Sequence, residues 1–217
     1  KDINKGVVRS VGDPNARFAE DGLRPLRAIR FASQLGFVIE EDTFAAIAKT
    51  IGIFEKVSPE RMRDEFEKIL LSPVPSVGLR LLEETGLLEI LLQELAPARG
   101  CQQKGLHRFD VMDHLFLAVD AAPKDAILRL AALLHDSGKP ASKAAGPDGV
   151  PTFYGHEAIS ERIAASALKR LRFPNDSIAQ VRHLVAQHMF NYEASWSDAA
   201  VRRLVSRVGM DQLPALL

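Results

Sequence analysis

The chain has 217 residues, of which 47% are hydrophobic and 26% are charged, so its composition is that of a globular protein with a buried core. Its formal net charge is zero, which argues against a strongly basic nucleic-acid-binding protein and leaves any RNA contact to local patches. The single cysteine, Cys101, excludes an intrachain disulfide framework and is typical of a reducing cytoplasm. No apolar run has the length of a transmembrane helix, so we expect no membrane partner.

The first residues predict one short strand. The run from Val7 to Val11 follows the turn signal Asn4-Lys5-Gly6 and is rich in β-branched residues. Because a lone strand does not fold by itself, we expect its partners upstream of Lys1. The chain starts with Lys1 rather than Met and stops within an apolar pattern, so we expect both ends to be cuts through a longer protein.

From Asp21 onward the spacing of apolar residues is helical almost throughout. Pro25 suits the first turn of a helix, which places the start of that helix near Asp21 or Gly22. Gly36 is a residue type that commonly ends a helix. A second helix is predicted to start at Glu41 and to run to about residue 51.

Ser58 as N-cap and Pro59 as the first helical residue predict a third helix, which ends before Pro73. One or two further helices are predicted between 77 and 92, interrupted at Gly86. The segment 97–105 has the composition of a linker. Further helices are predicted at 110–121, 125–136, 155–171, 175–188 and 197–208, with a loop at 137–153. The predicted fold is therefore all-α with a short β remnant at the N-terminus.

One predicted helix combines a carboxylate with a row of arginines. Arg24, Arg27 and Arg30 are spaced three apart and lie along one side of the helix, and Asp21 lies three residues before Arg24. A carboxylate and a guanidinium can together read the Watson–Crick edge of a base while further arginines meet phosphates. The alternative, exposed salt bridges on a solvated helix, stays open.

The histidines form the second constellation, because all six lie in the C-terminal half. His135 and Asp136 follow an apolar, buried helix, at the end where its carbonyl dipoles favour a cation. His114, His156 and His188 lie on other predicted helices and would complete a ligand set for a divalent metal. Such an ion can lower the pKa of a bound water and hold a phosphate.

Three further points concern this predicted metal site. Lys139 lies close to the His-Asp pair and could add a positive charge for a phosphoryl oxygen. His107 and His183 are weaker candidates, since His183 and His188 are five residues apart and do not share a helix face. A buried histidine that merely satisfies an aspartate in the core is the alternative interpretation.

At these residues the chain resembles a known family, the bacterial tRNA nucleotidyltransferases, which are CCA-adding enzymes related to poly(A) polymerases. The neck of that family is matched by Asp13-Pro14-Asn15-Ala16-Arg17-Phe18, by Glu20-Asp21-x-x-Arg24 and by Leu26-Arg27-Ala28-x-Arg30-Phe31-Ala32. The next helix is matched by Ser58-Pro59-Glu60-Arg61-x-x-x-Glu65-x-x-Lys68-Ile69-Leu70. Members with a C-terminal HD phosphohydrolase-like domain are matched by His107-x-x-Asp110-Val111-x-x-His114 and by Leu133-Leu134-His135-Asp136-x-Gly138-Lys139-Pro140.

The resemblance implies three parts: the tail of the nucleotidyltransferase head at 1–20, a helical neck and body that bind nucleotide and RNA at 21–100, and an HD metal-binding domain at 101–217. Within the neck, Asp21 and Arg24 would select CTP or ATP by hydrogen bonds to the base. Arg27 and Arg30 would support the nucleotide. Hinge and support roles would fall to Asp13, Arg17, Glu20, Glu60, Arg61 and Glu65.

The resemblance also implies the partners and cofactors. The partners would be ATP, CTP and the 3′ end of tRNA or of another RNA. The resemblance does not decide whether the protein forms a homodimer. Mg²⁺ would serve nucleotide transfer in the complete enzyme, and a divalent or transition metal of unspecified identity would occupy the HD site. That HD domain would act as a metal-dependent phosphohydrolase in a cytoplasmic enzyme.

Two departures from the family pattern lead to further expectations. The Gly-Ser or Gly-Gly loop and the paired carboxylates that perform nucleotide transfer do not precede Lys1, so we expect this piece alone to lack polymerase activity. The last aspartate ligand of HD domains has no convincing counterpart in Asp198 or Asp211, so we expect the HD domain to be truncated. Two other functions stay open: a stand-alone metal-dependent HD phosphohydrolase, and a nonenzymatic RNA-binding module.

Overall fold

The computed structural model describes residues 2–103, 109–146, 149–189 and 196–209. The regular secondary structure of this part of the chain is almost entirely helical, which confirms the predicted all-α class. The helices of the first half are α1 (Asp2–Lys5), α2 (Pro14–Glu20), α3 (Arg24–Leu35), α4 (Glu41–Lys49), α5 (Ile51–Phe54), α6 (Pro59–Leu70), α7 (Pro75–Glu84), α8 (Leu87–Leu91) and a 3-10 helix (Gln93–Ala98). Those of the second half are α9 (Val111–Ala121), α10 (Ala126–Leu134), α11 (Lys139–Ser142), α12 (His156–Arg170), α13 (Asn175–Gln187) and α14 (Asp198–Val208).

The predicted N-terminal strand has a partner inside the chain, which the sequence analysis does not predict. Strand β1 (Val7–Val8) pairs in parallel with β2 (Val38–Ile39), which follows α3. A parallel pair needs such a crossover connection, and here α2 and α3 supply it. A second small pair, β3 (Ala144–Ala145) with β4 (Pro151–Thr152), is antiparallel and lies in the predicted loop at 137–153.

Local signals set the ends of helix α3. It begins at Arg24, two or three residues later than predicted, and Pro25 occupies its first turn as expected. Gly36 ends it with φ of 66°, a left-handed conformation that glycine adopts at little cost. The buried face of α3 packs on α6 and α7 and includes Leu26, Ile29 and Ala32.

The segment 97–105 is predicted as a linker, but its described part up to residue 103 is packed. Cys101 is buried, and its carbonyl accepts a hydrogen bond from the Val111 amide at 3.0 Å. The Gly100 amide donates to the Asp110 carboxylate at 2.6 Å. One hydrophobic core runs through both halves of the chain. The domain boundary near residue 100 stays a prediction.

Arg129 of α10 joins the two halves through a buried guanidinium. Its Nη1 donates to the carbonyl of Leu70, the last residue of α6, at 2.5 Å and to that of Ser72 at 2.8 Å. Its Nε donates to the Ala122 carbonyl at 3.3 Å. Burial lowers the pKa of Arg129, although the Asp120 carboxylate opposes that shift. Helix α10, which leads into His135, is therefore fixed directly to the end of α6.

No helix within the described ranges combines the length and the apolar character needed to cross a bilayer.

Candidate functional site

The Asp136 carboxylate lies at the centre of the predicted metal site and is only 3% exposed as a residue. Its Oδ2 lies 3.2 Å from Nε2 of His114 and 3.1 Å from Nε2 of His135. Its Oδ1 lies 3.0 Å from Nε2 of His156 and 3.5 Å from Nε2 of His188. The structure thus brings together all five residues that the sequence predicts as ligands.

Four helices deliver these side chains to one point. His114 lies on α9, whose N-cap Asp110 accepts a hydrogen bond from the Asp113 amide at 2.8 Å. His135 and Asp136 directly follow α10, whose N-cap is Asp125. His156 is the first residue of α12, and His188 directly follows α13.

Backbone carbonyls one turn earlier orient three of the imidazoles. Nδ1 of His135 donates to the Ala132 carbonyl at 2.8 Å. In the same way, Nδ1 of His156 donates to the Phe153 carbonyl and Nδ1 of His188 donates to the Val185 carbonyl, both at 2.7 Å. This hydrogen-bond pattern assigns a proton to each Nδ1, so each Nε2 can offer its lone pair to a metal.

The close approach of the ring nitrogens fits a bound cation. Nε2 of His114 lies 3.2 Å from that of His135, and Nε2 of His156 lies 3.1 Å from that of His188. Lone pairs that face each other and a carboxylate at these distances need a proton or a metal between them. Asp136 belongs to two sets of three donors, one with His114 and His135 and one with His156 and His188. Within each set, the ligand atoms all lie within 4.8 Å of one another. Imidazole and carboxylate donors of this kind suit a divalent or transition metal.

Without a metal, protons on the Nε2 atoms take its place, and the pKa shifts of the cluster describe that protonated state. Burial alone would raise the pKa of Asp136, but hydrogen bonds from the four surrounding imidazoles outweigh it and hold that pKa far below its usual range. Burial likewise opposes the charged form of His156, yet its hydrogen bonds to Asp136 and to the Phe153 carbonyl raise the pKa of His156. The carboxylate is therefore ionised and ready to bind a cation.

Lys139 reaches the same carboxylate, as its position next to the His-Asp pair predicts. Its Nζ lies 2.6 Å from Oδ2 of Asp136 and donates to Oε1 of Gln103 at 2.7 Å. The sequence analysis did not identify Gln103, which carries no local signal because the two residues are 36 positions apart. The lysine ammonium is thus held at the edge of the metal site, where an anionic ligand would approach.

Gly138 is a second residue whose role sequence reasoning missed. A Cβ at this position would lie 2.4 Å from the His156 carbonyl oxygen and 2.7 Å from the Ser160 amide nitrogen. The Gly138 amide also donates to Oγ of Ser160 at 2.8 Å. Only glycine lets the turn after Asp136 approach the start of α12 this closely, and that approach brings His156 to Asp136.

Among the described residues, His183 and Asp198 are not part of the cluster. Nε2 of His183 contacts the carbonyl of Val208 at 2.7 Å, which is a packing contact between α13 and α14. Asp198 begins α14. The positions of His107 and Asp211 lie outside the described residues.

In the neck, the side chains of Asp21 and Arg24 have different partners. Asp21 accepts from the Leu23 amide at 3.1 Å and from Nη2 of Arg61 at 3.2 Å. The backbone hydrogen bond and the Arg61 guanidinium lower the pKa of Asp21 against the effect of burial. Arg24 contacts Glu20 at 2.5 Å and remains 38% exposed.

Arg27 and Arg30 converge on the buried carboxylate of Glu65 in α6. Nη1 of Arg30 lies 3.1 Å from Glu65 Oε2, and Nε of Arg27 lies 3.7 Å from Oε1. Lys68 adds a third cation at 3.1 Å. Glu60, in the first turn of the same helix, is exposed. Glu65 is therefore the residue that attaches the arginine row to the next helix.

Asp13 and Arg17 organise helix α2 and the turn before it. Asp13 is the N-cap of α2 and accepts from the Asn15 amide at 3.0 Å. Arg17 donates to the Val11 carbonyl and to Glu20, both at 3.1 Å. Hydrogen bonds from Arg24 and Arg17 lower the pKa of Glu20, and burial opposes the shift.

An open cavity of about 370 Å³ lies beside this network. Its lining residues come from β1, the turn that follows it, α2 and α3, and they are Val8, Arg9, Ser10, Val11, Arg17, Phe18, Arg24, Arg27, Ala28 and Phe31. Three arginines from the predicted neck motif thus face a space that suits a small anionic ligand. Asp21 does not belong to that lining.

The fold and the His-Asp cluster define the class of protein. A family model described as "HD domain" matches residues 106–215, about half of the chain, and the chain belongs to that family. A second model, described as "Probable RNA and SrmB- binding site of polymerase A", matches residues 36–99.

The particular relatives are tRNA nucleotidyltransferases, which confirms the resemblance seen in the sequence. The chain is 36% identical over 228 aligned residues to the A-adding tRNA nucleotidyltransferase of Deinococcus radiodurans, covering 100% of the chain and 51% of the relative. It is 37% identical over 202 residues to the CC-adding tRNA nucleotidyltransferase of Thermus thermophilus, covering 87% and 46%. The Bacillus stearothermophilus CCA-adding enzyme in complex with CTP has a TM-score of 0.64 at 25% identity, covering 95% of the chain and 44% of that structure. The chain spans about half the length of these relatives.

Proposed function

We propose that the chain is the neck, body and HD part of an enzyme that adds nucleotides to the 3′ end of tRNA. The observation that carries this proposal is the similarity along the chain to an A-adding and a CC-adding tRNA nucleotidyltransferase. The cavity beside Arg17, Arg24 and Arg27 supports it, because guanidinium groups bind phosphate and base edges. CTP, ATP and a tRNA 3′ end are the proposed partners, and the cytoplasm is the proposed location.

Within this function the neck residues have two roles. Arg24 lines the cavity and would contact the nucleotide, while Arg27 lines the cavity and also contacts Glu65. Asp21, held by Arg61, and Arg30, held by Glu65, would fix the shape of the nucleotide site. Mg²⁺ would supply the two-metal chemistry of phosphoryl transfer in the complete enzyme.

The direct experiment uses the full-length protein. A tRNA transcript that lacks its terminal nucleotides is incubated with Mg²⁺ and with CTP, ATP or both, and the products are separated at single-nucleotide resolution. We expect extension by one to three nucleotides. A transcript that stays unextended under all three conditions contradicts the proposal and favours an RNA-binding module without transferase activity.

The HD half supports a second function, a metal-dependent phosphohydrolase. The four imidazoles and the Asp136 carboxylate would hold the ion, and the metal would activate water for attack on a phosphate ester. Lys139, held beside Asp136, would neutralise a phosphoryl oxygen. Gln103 would orient that lysine through its 2.7 Å hydrogen bond.

Metal analysis separates this function from a vestigial site. The full-length protein and two single variants, His156→Ala and His183→Ala, are loaded with Mn²⁺, Co²⁺, Ni²⁺ or Zn²⁺ and dialysed, and the bound metal is counted. We expect His156→Ala to lose the metal and His183→Ala, a histidine outside the cluster, to retain it. Equal metal content in the two variants, or no metal in the wild type with any ion, contradicts the proposed site.

A further inference from the structure

A row of cations runs along the exposed side of α12 and into the turn that follows it. Arg162 and Lys169 are seven residues apart, so they lie on one face of the helix, about 10 Å apart along its axis. Arg172 follows in the turn, three residues after Lys169, and all three residues are exposed. The buried side of α12 carries His156 and Ser160, so this cation row lies on the other side of the helix from the metal ligand.

The side chains of the cation row have no carboxylate partner among the described residues. Other charges of the same helix are paired: Arg170 contacts Glu94 at 2.8 Å, and Arg182 donates to Glu161 at 2.6 Å. No ion pair or hydrogen bond within the described ranges involves the three side chains of the row. The positions between the cations on this face are alanine and serine, so no acid neutralises them locally.

Arg172 has a backbone conformation that favours glycine. Its φ is 58°, and it is the one non-glycine residue with a positive φ in the part of the chain that the structure describes. It follows the C-cap Leu171, at a place where glycine commonly ends a helix because a Cβ is strained there. An arginine that strains the backbone and makes no side-chain contact in the fold points to a ligand for its guanidinium.

The turn at Arg172 is attached to the first half of the chain through its backbone. Nη1 of Arg63, on α6, donates to the Arg172 carbonyl, and Nε of Arg63 donates to Asp64 at 3.0 Å. The contact uses the carbonyl and leaves the Arg172 guanidinium free. It also fixes the end of the cation row beside α6, so a nucleic-acid strand that is bound to the first half can continue across α12.

We propose that the cation row binds the phosphate backbone of RNA, an inference that rests on the RNA substrate of the proposed function. Cations that meet phosphates release counterions from the nucleic acid, which gives affinity without reading the sequence. Because the net charge of the chain is zero, any attraction for RNA must come from such local groups. The HD half would therefore contribute to RNA affinity through α12, separately from its metal cluster.

The test measures how the full-length protein binds a tRNA transcript that lacks its terminal nucleotides, by fluorescence anisotropy at several salt concentrations. The triple variant Arg162→Gln/Lys169→Gln/Arg172→Gly removes the row, and Lys124→Gln removes another exposed cation, between α9 and α10. Each lost phosphate contact should reduce the slope of log Kd against log salt concentration by about 0.7–0.9. We expect the triple variant to lose about 2 from that slope and to bind at least about tenfold more weakly, and Lys124→Gln to change the Kd less than about twofold.

Two single variants separate RNA binding from folding. Arg172→Gly removes the charge and relieves the backbone, so we expect the Kd to rise about threefold while the unfolding temperature rises by about 2 °C. Arg172→Lys keeps the charge and should keep the Kd within about twofold. A more stable variant that binds RNA less well cannot be explained by partial unfolding.

Each result decides the proposal. An unchanged Kd and salt slope in the triple variant overturn it, and so does an equal loss for each cation removed in Lys124→Gln. If the wild type extends the tRNA while the triple variant binds it normally, the proposed function stands and the cation row fails. If the wild type binds the tRNA without extending it, and the triple variant loses affinity and slope, the row stands and the transferase fails. A wild type that binds no tRNA overturns both.

Discussion

The guanidinium of Arg30 lies 3.1 Å from the carboxylate of Glu65, and both side chains are largely removed from solvent. Glu65 is 5% exposed in its side chain and also faces Arg27 and Lys68. A buried charge is tolerated only when its partners stay in place. The contact between α3 and α6 therefore depends on one carboxylate, to which the family resemblance gives a supporting role.

Glu65→Gln should destabilise the fold, because it leaves the Arg30 guanidinium without a charged partner in a buried position. We expect a loss of about 3 kcal/mol in the free energy of unfolding, measured by urea denaturation. Glu89→Gln is the matched control: Glu89 pairs with Arg99 at 3.3 Å and is 58% exposed, so its removal should cost less than about 1 kcal/mol. Similar losses of unfolding free energy in both variants would show that the burial of Glu65 adds nothing to stability.

Gly138→Ala should weaken metal binding without unfolding the protein. The added Cβ meets the His156 carbonyl oxygen at 2.4 Å, so the start of α12 must move away from Asp136. We expect the Kd for Mn²⁺ to rise by about tenfold or more, as for the loss of a supporting contact around a metal. Gly52→Ala, at a helical glycine with open space around it, should leave the Kd unchanged. An unchanged Kd in Gly138→Ala would contradict the role of this close approach.

Arg24→Ala should reduce discrimination between CTP and ATP in the full-length protein. Its guanidinium lines the neck cavity and is held by Glu20, so its loss removes a charge-assisted contact of about 1.5–3 kcal/mol. We expect the ratio of kcat/KM for the two nucleotides to change by about tenfold or more. Arg80→Ala is the control, since Arg80 is similarly exposed and pairs with Asp113 outside that cavity. Unchanged selection between CTP and ATP in Arg24→Ala would contradict the proposed contact of Arg24 with the nucleotide.

Asp21→Asn should remove a pH-dependent part of the stability. The pKa of Asp21 is lowered in the folded protein by the Leu23 amide and by Arg61, so the charged form contributes stability above its unfolded pKa of about 3.9 and loses it as the pH falls through the lower folded value. The wild type should therefore be the more stable protein between about pH 5 and 7, and the difference should shrink below about pH 4. Urea denaturation at several pH values measures it. A difference that is independent of pH would exclude the carboxylate charge as its source.

Local signals in the sequence predict most of the helices. Pro25 with Gly36, and Ser58 with Pro59, mark ends that depend only on neighbouring residues, and the structure places helix ends at or near them. The short helix α2 was missed, because only Phe18 among its seven residues is buried and its apolar spacing is too brief to read. The partner of β1 was missed because the parallel pair joins residues about 31 positions apart, Val7 with Val38.

In the candidate site, the sequence likewise predicts the identity of the ligands but not the contacts that position them. Residue type and position on the predicted helices together indicate the five predicted ligands, since histidine and aspartate are side chains that metals select. Their positioning depends on contacts between distant segments, such as Gly138 with Ser160 and Lys139 with Gln103, and no local pattern reports these. In the neck, the pairing of Asp21 with Arg61 spans 40 positions, so spacing suggests a partnership with Arg24 that the side chains do not form.

Arg129 makes the HD half difficult to transplant. Its guanidinium ends at the Leu70 and Ser72 carbonyls, which belong to the other half of the chain. A chimera that replaces the residues before position 100 with those of a relative must reproduce that turn and the positions of these two carbonyls. If it does not, the buried Arg129 guanidinium would keep only the Ala122 carbonyl among its acceptors, in the helix that leads directly into His135 and Asp136.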